Sequence, residues 1–204
     1  MTSILSSRSR ERSRLVESIA ARGVTDPAVL AAIGGVPREA FVPAEVAEFA
    51  YRDAALPIGV GQTISPPYVV ALTTQALQLD ARDRVLEIGT GSGYAAAVLA
   101  ELAAEVFTVE RHGELASAAR ERLVSHGVHN VMVHHADGRY GWPDYAPYDA
   151  IVVPSATDVV PERLRGQLVV GGRLVVPVGA PDGIQKLVRI RRTGPDDFEE
   201  ETLQ

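Results

Sequence analysis

Glu87 closes an apolar run, and Gly89, Gly91 and Gly93 follow it at alternate positions in the stretch "VLEIGTGSGY". Residues of these types at this spacing fit a strand that turns tightly into a helix over a bound nucleotide-like cofactor. One chemistry to weigh is hydride transfer: Gly91-Ser92-Gly93-Tyr94-Ala95-Ala96 matches G-x-G-x-x-A, and Glu110 follows at the distance of a ribose-binding acid. Against a dinucleotide stands Glu87, whose carboxylate occupies the region where a pyrophosphate needs amide groups and positive potential. S-adenosylmethionine carries no phosphate, and its ammonium suits a carboxylate through a charge-assisted hydrogen bond. Glu87 therefore favours the sulfonium cofactor and methyl transfer.

Further acids stand where successive strands should end. Glu110 closes the second strand, where its carboxylate can accept from two ribose hydroxyls, unless it is only a solvated strand-end acid. Asp137 and Gly138 follow the third strand, in a loop that can meet an adenine edge, although Asp-Gly alone most often makes a turn. Glu87, Glu110 and Asp137 after successive strands form a stronger signal than any one of them.

The elements that must hold these residues alternate from Asp83 onward. Strands are expected over Arg84 to Ile88, Glu105 to Glu110, Asn130 to His135, Tyr148 to Val153 and Arg173 to Val178. Helices are expected over Ala95 to Ala103, His112 to His126 and Pro161 to Leu168. The pattern predicts an α/β fold of Rossmann-like type, a mostly parallel twisted sheet with helices on both faces. Around Pro181-Asp182-Gly183 a hairpin is expected, giving an antiparallel C-terminal edge. Before Asp83 the chain reads as helices near Arg10 to Arg22 and Pro27 to Gly34, then a loop through "LPIGVGQTIS". Ser65 before Pro66 and Pro67 predicts a helix start with a serine cap, and Val69, Leu72, Ala76 and Leu79 predict its buried face. Residues 1–82 form a helical cap with a substrate and cofactor loop, packed as part of one domain with residues 83–204.

Composition narrows the partners. Twenty basic against 26 acidic side chains, a net charge of −6, give no overall field for nucleic acid. The arginine-rich start "SILSSRSRERSR" faintly suggests a transit peptide or RNA-binding tract, but reads more simply as a frayed tail entering a solvated helix whose buried stripe is Leu15, Ile19 and Ala20. The chain has no cysteine, so disulfides and thiolate chemistry are excluded, and no apolar run approaches the roughly 18 residues of a membrane span. A cytoplasmic monomer without membrane or nucleic-acid partners is expected. The histidines suggest no metal site: His126 and His129 straddle a helix end, while His134 and His135 point to opposite faces of one strand.

In this order, "LPIGVGQTISPPYVVA", "RVLEIGTGSGY", "VERH", "ADGRYGWPDYAPYDAIVV" and "QLVVGGRLVVPVG" closely resemble the protein-L-isoaspartate O-methyltransferase family, over roughly Val36 to Arg192. The glycine loop is widespread among methyltransferases, whereas "GQTIS" is far more specific. The resemblance implies methylation, from S-adenosylmethionine, of the carboxyl group of L-isoaspartyl residues in damaged proteins, with S-adenosylhomocysteine as product. It makes Ser65 the active-site serine and sets Gln62, Thr63 and Ile64 beside the cofactor. Glu87, Gly89, Thr90, Gly91, Gly93, Glu110, Arg111, Asp137 and Gly138 would bind it.

The chemistry itself asks little of acid–base groups. A carboxylate with a pKa of roughly 4 is already ionised at pH 7, so alignment and exclusion of water suffice and no metal is needed. Ser65 would orient a carboxylate oxygen and would not be a nucleophile. Trp142, Tyr145 and Tyr148 either line a peptide groove or pack a loop on the sheet. Pro154 stands where the family has a small or hydroxyl residue, and "EEETLQ" stops before the family's C-terminal segment that forms part of the peptide-binding wall. The neighbouring alternatives are methylation of an ordinary aspartate in a biosynthetic peptide, to make an aspartimide, and, from other classes, a nicotinamide-dependent oxidoreductase or a non-catalytic cofactor-binding module.

Overall fold

Short, β-prone and nearly continuous apolar runs are what a parallel sheet covered on both faces requires, and the computed structural model, which describes residues 2–157, 159–180 and 183–203, has that sheet. Its strands in chain order are β3 (Arg84–Ile88), β4 (Glu105–Glu110), β5 (Val131–His135), β6 (Tyr148–Val152), β7 (Leu168–Val178), β8 (Lys186–Arg192) and β9 (Phe198–Thr202), after a separate two-stranded hairpin of β1 (Leu56–Gly59) and β2 (Gln62–Ile64). The spatial order is β5-β4-β3-β6-β7-β8-β9. β3 pairs in parallel with β4 and β6, β4 with β5, and β6 with β7, while β8 and β9 run antiparallel to their neighbours.

Helices cover the two faces unequally. On one side Val85, Val106, Ala150 and Val175 pack against Ala76 and Leu77 of α3 (Pro67–Leu77) and Ala96 and Leu99 of α4 (Tyr94–Ala100). On the other, Leu86, Phe107, Ile151 and Leu174 meet Leu164 of the single-turn α6 (Glu162–Arg165) and the loop at Trp142. The N-terminal helices α1 (Thr2–Ala21) and α2 (Pro27–Gly35) join a further core with Tyr94, Ala97 and Val98 of α4 and Leu115 and Leu123 of α5 (Gly113–Ser125). Asp26 caps α2 by accepting from Ala28 and Val29 N–H. Of the stripe expected on α1, Leu15 and Ile19 are buried and Ala20 half-buried; the stretch expected to be a tail before the helix is helical from Thr2 among the described residues.

Several expectations are corrected. The stretch "LPIGVGQTIS" is the β1–β2 hairpin, not a loop, and turns through Val60 (φ 51°) and Gly61 (φ 66°), both left-handed. A β-branched residue in that conformation costs energy and lacks the usual Asn-Gly or Asp-Gly signature, which hides the turn from sequence reasoning. The serine cap of α3 is absent: Pro66 occupies the cap position without a side-chain bond, and the Tyr68 N–H is taken by Asp53 Oδ1 at 2.9 Å. Ala76 is the one fully buried member of the stripe expected on α3, because the helix lies between the sheet and α2 and buries Val70, Ala71, Thr73, Thr74 and Leu77 as well. The helix expected over Pro161 to Leu168 ends at Arg165, since Leu168 already pairs with Tyr148 at the start of β7. Pro181 and Asp182 of the expected turn lie outside the described residues, but β7 and β8 form the antiparallel pair, from Arg173 opposite Arg191 to Val178 opposite Lys186. The acidic end adds β9, where Glu199 and Glu201 lie opposite Arg191 and Arg189 of β8.

Candidate active site

The sheet order reverses at β3: β4 and β5 continue to one side and β6 onward to the other. In open α/β sheets the crevice outside the carboxyl ends of the strands at such a reversal is where ligands bind. Glu87, near the end of β3, sits there, and it is fully buried. Its Oε2 accepts from Thr108 Oγ1 at 2.6 Å, and Thr108 is its cross-strand partner in β4. Thr108 has one hydroxyl proton, so the 2.7 Å contact between Thr90 Oγ1 and Thr108 Oγ1 runs with Thr90 as donor. Glu87 Oε1 is buried without a hydrogen-bond partner among the described residues. Burial pushes the carboxyl up to about 8; the Thr108 hydrogen bond opposes this and the neighbouring Glu110 charge adds to it.

The loop that follows turns through Gly89, Gly91 and Gly93, all with positive φ, so its glycines answer a backbone need. Glu110 secures this loop from β4. Its Oε2 accepts from Gly91 N–H and its Oε1 from His112 N–H, each at 2.9 Å, and the Gly89 and Thr90 amides meet the Val109 carbonyl. Each Glu110 oxygen keeps a further lone pair for a hydroxyl donor.

The hairpin closes over this loop, with Ile58 of β1 about 3.4 Å from where a side chain on Gly91 would begin. Ser65, just beyond β2, lines one pocket with Glu87, together with Val69, Thr73, Thr74 and Pro154. Of the other hairpin residues, Gln62 is half-buried and Thr63 exposed, while Ile64 is a core residue packed with Leu56 and Val70.

Asp137 caps the short turn Gly138–Tyr140, accepting from Arg139 N–H, and also pairs with the Arg139 guanidinium at 2.7 Å, which holds its carboxyl below the usual carboxylate range. Gly138 lies so close to Ile88 that a Cβ there would meet Ile88 Cγ2 at 2.6 Å. Arg111 is exposed, its Nε directed to His112 Nε2 and its carbonyl to His135 Nε2. His126 packs on Phe41 and His134 stacks on Trp142, and among the described residues no group of three or more His, Cys, Asp or Glu could hold a metal ion. Trp142, Tyr145 and Tyr148 all contact the Phe107 ring, a packing arrangement on the sheet.

A buried, half-satisfied carboxylate beside a glycine turn, with a serine lining the same pocket, fits the sulfonium cofactor better than a dinucleotide, and comparison with known proteins gives the family. Residues 10–204 match the family model described as protein-L-isoaspartate(D-aspartate) O-methyltransferase. The chain belongs to this family. It is 57% identical to protein-L-isoaspartate O-methyltransferase 2 of Pelobacter propionicus, over 95% of this chain and 86% of that protein. Protein-L-isoaspartate O-methyltransferase 1 of Rhodopseudomonas palustris is 56% identical, over 95% and 79%. Among solved structures, a protein-L-isoaspartate O-methyltransferase superposes with a TM-score of 0.81 at 32% identity, over 90% of this chain and 61% of that one. A Plasmodium falciparum relative, solved with S-adenosyl-L-homocysteine, has the same fold, with a TM-score of 0.81, 24% identity and 94% of both chains covered.

Two members of this site escaped the sequence. Thr108 is a polar residue inside the otherwise apolar β4, a signal that its hydroxyl has a buried partner, but nothing in the sequence says that the partner is Glu87. Arg38 is fully buried and donates to the carbonyls of Ala50, Ala54 and Ser65; its position in "VPREAF" carries no hint of that reach.

Proposed function

We propose that this site methylates the free carboxylate, the α-carboxylate, of L-isoaspartyl residues of damaged proteins, with Ser65 orienting that carboxylate and Glu87 at the methionine end of the cofactor. The observation that carries the reading is that Ser65 and Glu87 line the same pocket. S-adenosylmethionine, when bound, supplies an electrophilic methyl group on a sulfonium. The remaining work falls to the protein. Glu87 Oε1, unpartnered in the interior, fits an ammonium donor, and Glu110 has lone pairs to spare for ribose hydroxyls. Gly89, Thr90, Gly91 and Gly93 provide the turn, and Arg111, Asp137 and Gly138 the opposite wall. Ser65, half-buried at the pocket and engaged in no helix cap, has a hydroxyl available to a carboxylate oxygen. Gln62 and Thr63 border the same region from the hairpin.

Because the nucleophile is ionised near neutral pH, no residue has to remove a proton, and positioning in a dry pocket supplies the acceleration. In the ester made on an isoaspartyl residue the neighbouring main-chain amide nitrogen attacks the ester carbonyl and methanol leaves, closing a succinimide that water reopens in part as normal aspartate. Residues 1–82 act as cap and substrate loop on the cofactor-binding residues 83–204, and the protein works as a cytoplasmic monomer; size-exclusion and cell fractionation test those points. No helix among the described residues is long and apolar enough to cross a membrane.

The deciding experiment offers labelled S-adenosylmethionine with matched peptides that differ only in aspartyl or isoaspartyl linkage, and counts base-labile methyl groups. Labelling confined to the isoaspartyl peptide supports the proposal; equal or greater labelling of the aspartyl peptide overturns it.

A further inference from the structure

The loop from Ala50 to Ser65 contains the whole β1–β2 hairpin, and both of its ends meet one side chain. Arg38, fully buried in the 3₁₀ turn Arg38–Phe41, donates from Nη1 to the Ala50 carbonyl at 2.5 Å and from Nη2 to the carbonyls of Ala54 at 3.1 Å and Ser65 at 3.0 Å. Its guanidinium lies 5.8 Å from the centre of the Tyr94 ring, which opens α4 directly after the glycine loop. Nε has no partner.

A buried guanidinium is expensive, and an apolar residue would fill the same space without that cost. Its fork geometry does what an apolar residue or a point charge does not: it holds several carbonyls at fixed mutual angles. Ser65 needs such an external tie. Pro66 and Pro67 follow it and have no N–H, the helix they begin has no side-chain cap, and the Tyr68 amide is bound by Asp53 instead. The Ser65 carbonyl is therefore fixed from Arg38, on an element distant in sequence.

We infer that Arg38 is a positioning residue for the methyl-transfer step, which closes the Ala50–Ser65 loop and fixes the Ser65 hydroxyl against the substrate carboxylate. The inference rests on the proposed role of Ser65. Arg38 is fully buried, donates to main-chain carbonyls and does not line the pocket shared by Ser65 and Glu87. Glu87 and Glu110 are held independently of it, through Thr108 and the Gly91 and His112 amides. Loss of the fork should therefore appear in kcat and leave cofactor affinity nearly unchanged. Misplacement of a reacting group by about 1 Å costs on the order of 100-fold in rate, so a loss of roughly 10- to 100-fold is expected.

The test is a double-mutant cycle of Arg38→Lys and Ser65→Ala, with kcat on an isoaspartyl peptide, cofactor affinity by calorimetry and melting temperature measured for each chain. Expected are a fall in kcat for each single variant, cofactor affinity within about twofold of the parent, and a double variant no slower than Ser65→Ala alone, because Arg38 acts through Ser65. If the two losses multiply, or if kcat follows melting temperature and cofactor affinity alike, Arg38 is only a structural residue and the inference falls. If Ser65→Ala alone keeps full kcat, the role assigned to Ser65 fails first, and the inference with it. Should Arg38→Lys not fold, Arg38→Gln keeps N–H donors without a buried charge and enters the same cycle.

Discussion

Thr108 Oγ1 donates to Glu87 Oε2 at 2.6 Å between adjacent parallel strands, and this is the one hydrogen bond the buried Glu87 carboxylate receives among the described residues. The bond fixes which oxygen is satisfied and which is left for a ligand. It also leaves the ionised form of Glu87 poorly compensated, with Glu110 as an acidic neighbour.

Glu87→Gln should separate stability from cofactor binding. Burial raises the folded-state carboxyl from its ordinary 4.5 to about 8, so the folded chain holds this proton more tightly than the unfolded chain does. The stabilisation that follows is complete below about pH 4.5 and is lost as pH rises through about 8. The glutamine variant does not titrate. Melting curves from about pH 5 to about pH 8.5 should show the variant gaining on the parent with rising pH, while calorimetry shows its S-adenosylmethionine affinity much reduced. A constant difference in melting temperature across that range would refute the assignment.

Thr108→Val keeps the shape of the side chain but leaves Glu87 Oε2 and the Thr90 hydroxyl without a partner. A buried unsatisfied group costs about 1–3 kcal/mol, and the Glu87 carboxyl should rise further because the Thr108 bond lowers it. Denaturant titration should find the stability loss, and cofactor affinity should weaken most at neutral pH. Thr108→Ser should restore both.

Glu110→Ala removes the acceptor of two loop amides, Gly91 and His112, and the proposed acceptor of ribose hydroxyls. Cofactor binding should weaken by on the order of 1.5–3 kcal/mol, the range for hydrogen bonds to a charged group. An unchanged dissociation constant would remove Glu110 from the site. The parent chain should show no comparable affinity for NAD, whose pyrophosphate would meet the Glu87 region.

Gly138→Ala tests the close approach of the third loop to β3. The added methyl would begin 2.6 Å from Ile88 Cγ2, so the turn must shift, at about 1–3 kcal/mol for overpacking. Lower melting temperature and weaker cofactor binding are expected together. Ile88→Ala in the same chain removes the clash and should recover part of the binding.

What was legible in the sequence is what local chemistry encodes. Short apolar, β-rich runs between helical stretches marked the strands, most plainly β3, β4 and β6, because a strand buried on both faces must be apolar along most of its length. Glycines at positions 89, 91 and 93 marked the turn, because the backbone there has positive φ. Glu87 was conspicuous as a charge at the end of an apolar strand, and the family resemblance assigned Ser65.

The tertiary structure decided the rest, because partners far apart in sequence leave no local trace. Val60 concealed a hairpin turn that its φ of 51° permits only within a closed loop. The Tyr68 amide at the start of α3 is taken by Asp53 and not by the adjacent Ser65, since the chain folds back to bring that carboxylate to it. That Ile64 is a buried core residue paired with Leu56 follows from the hairpin, which the sequence did not reveal. Thr108 reaches Glu87 only through strand register, and Arg38 reaches Ser65 only because the N-terminal turns pack on the start of α4. Sequence set the residue types and the local backbone; packing chose their partners, because burial is a property of the whole fold.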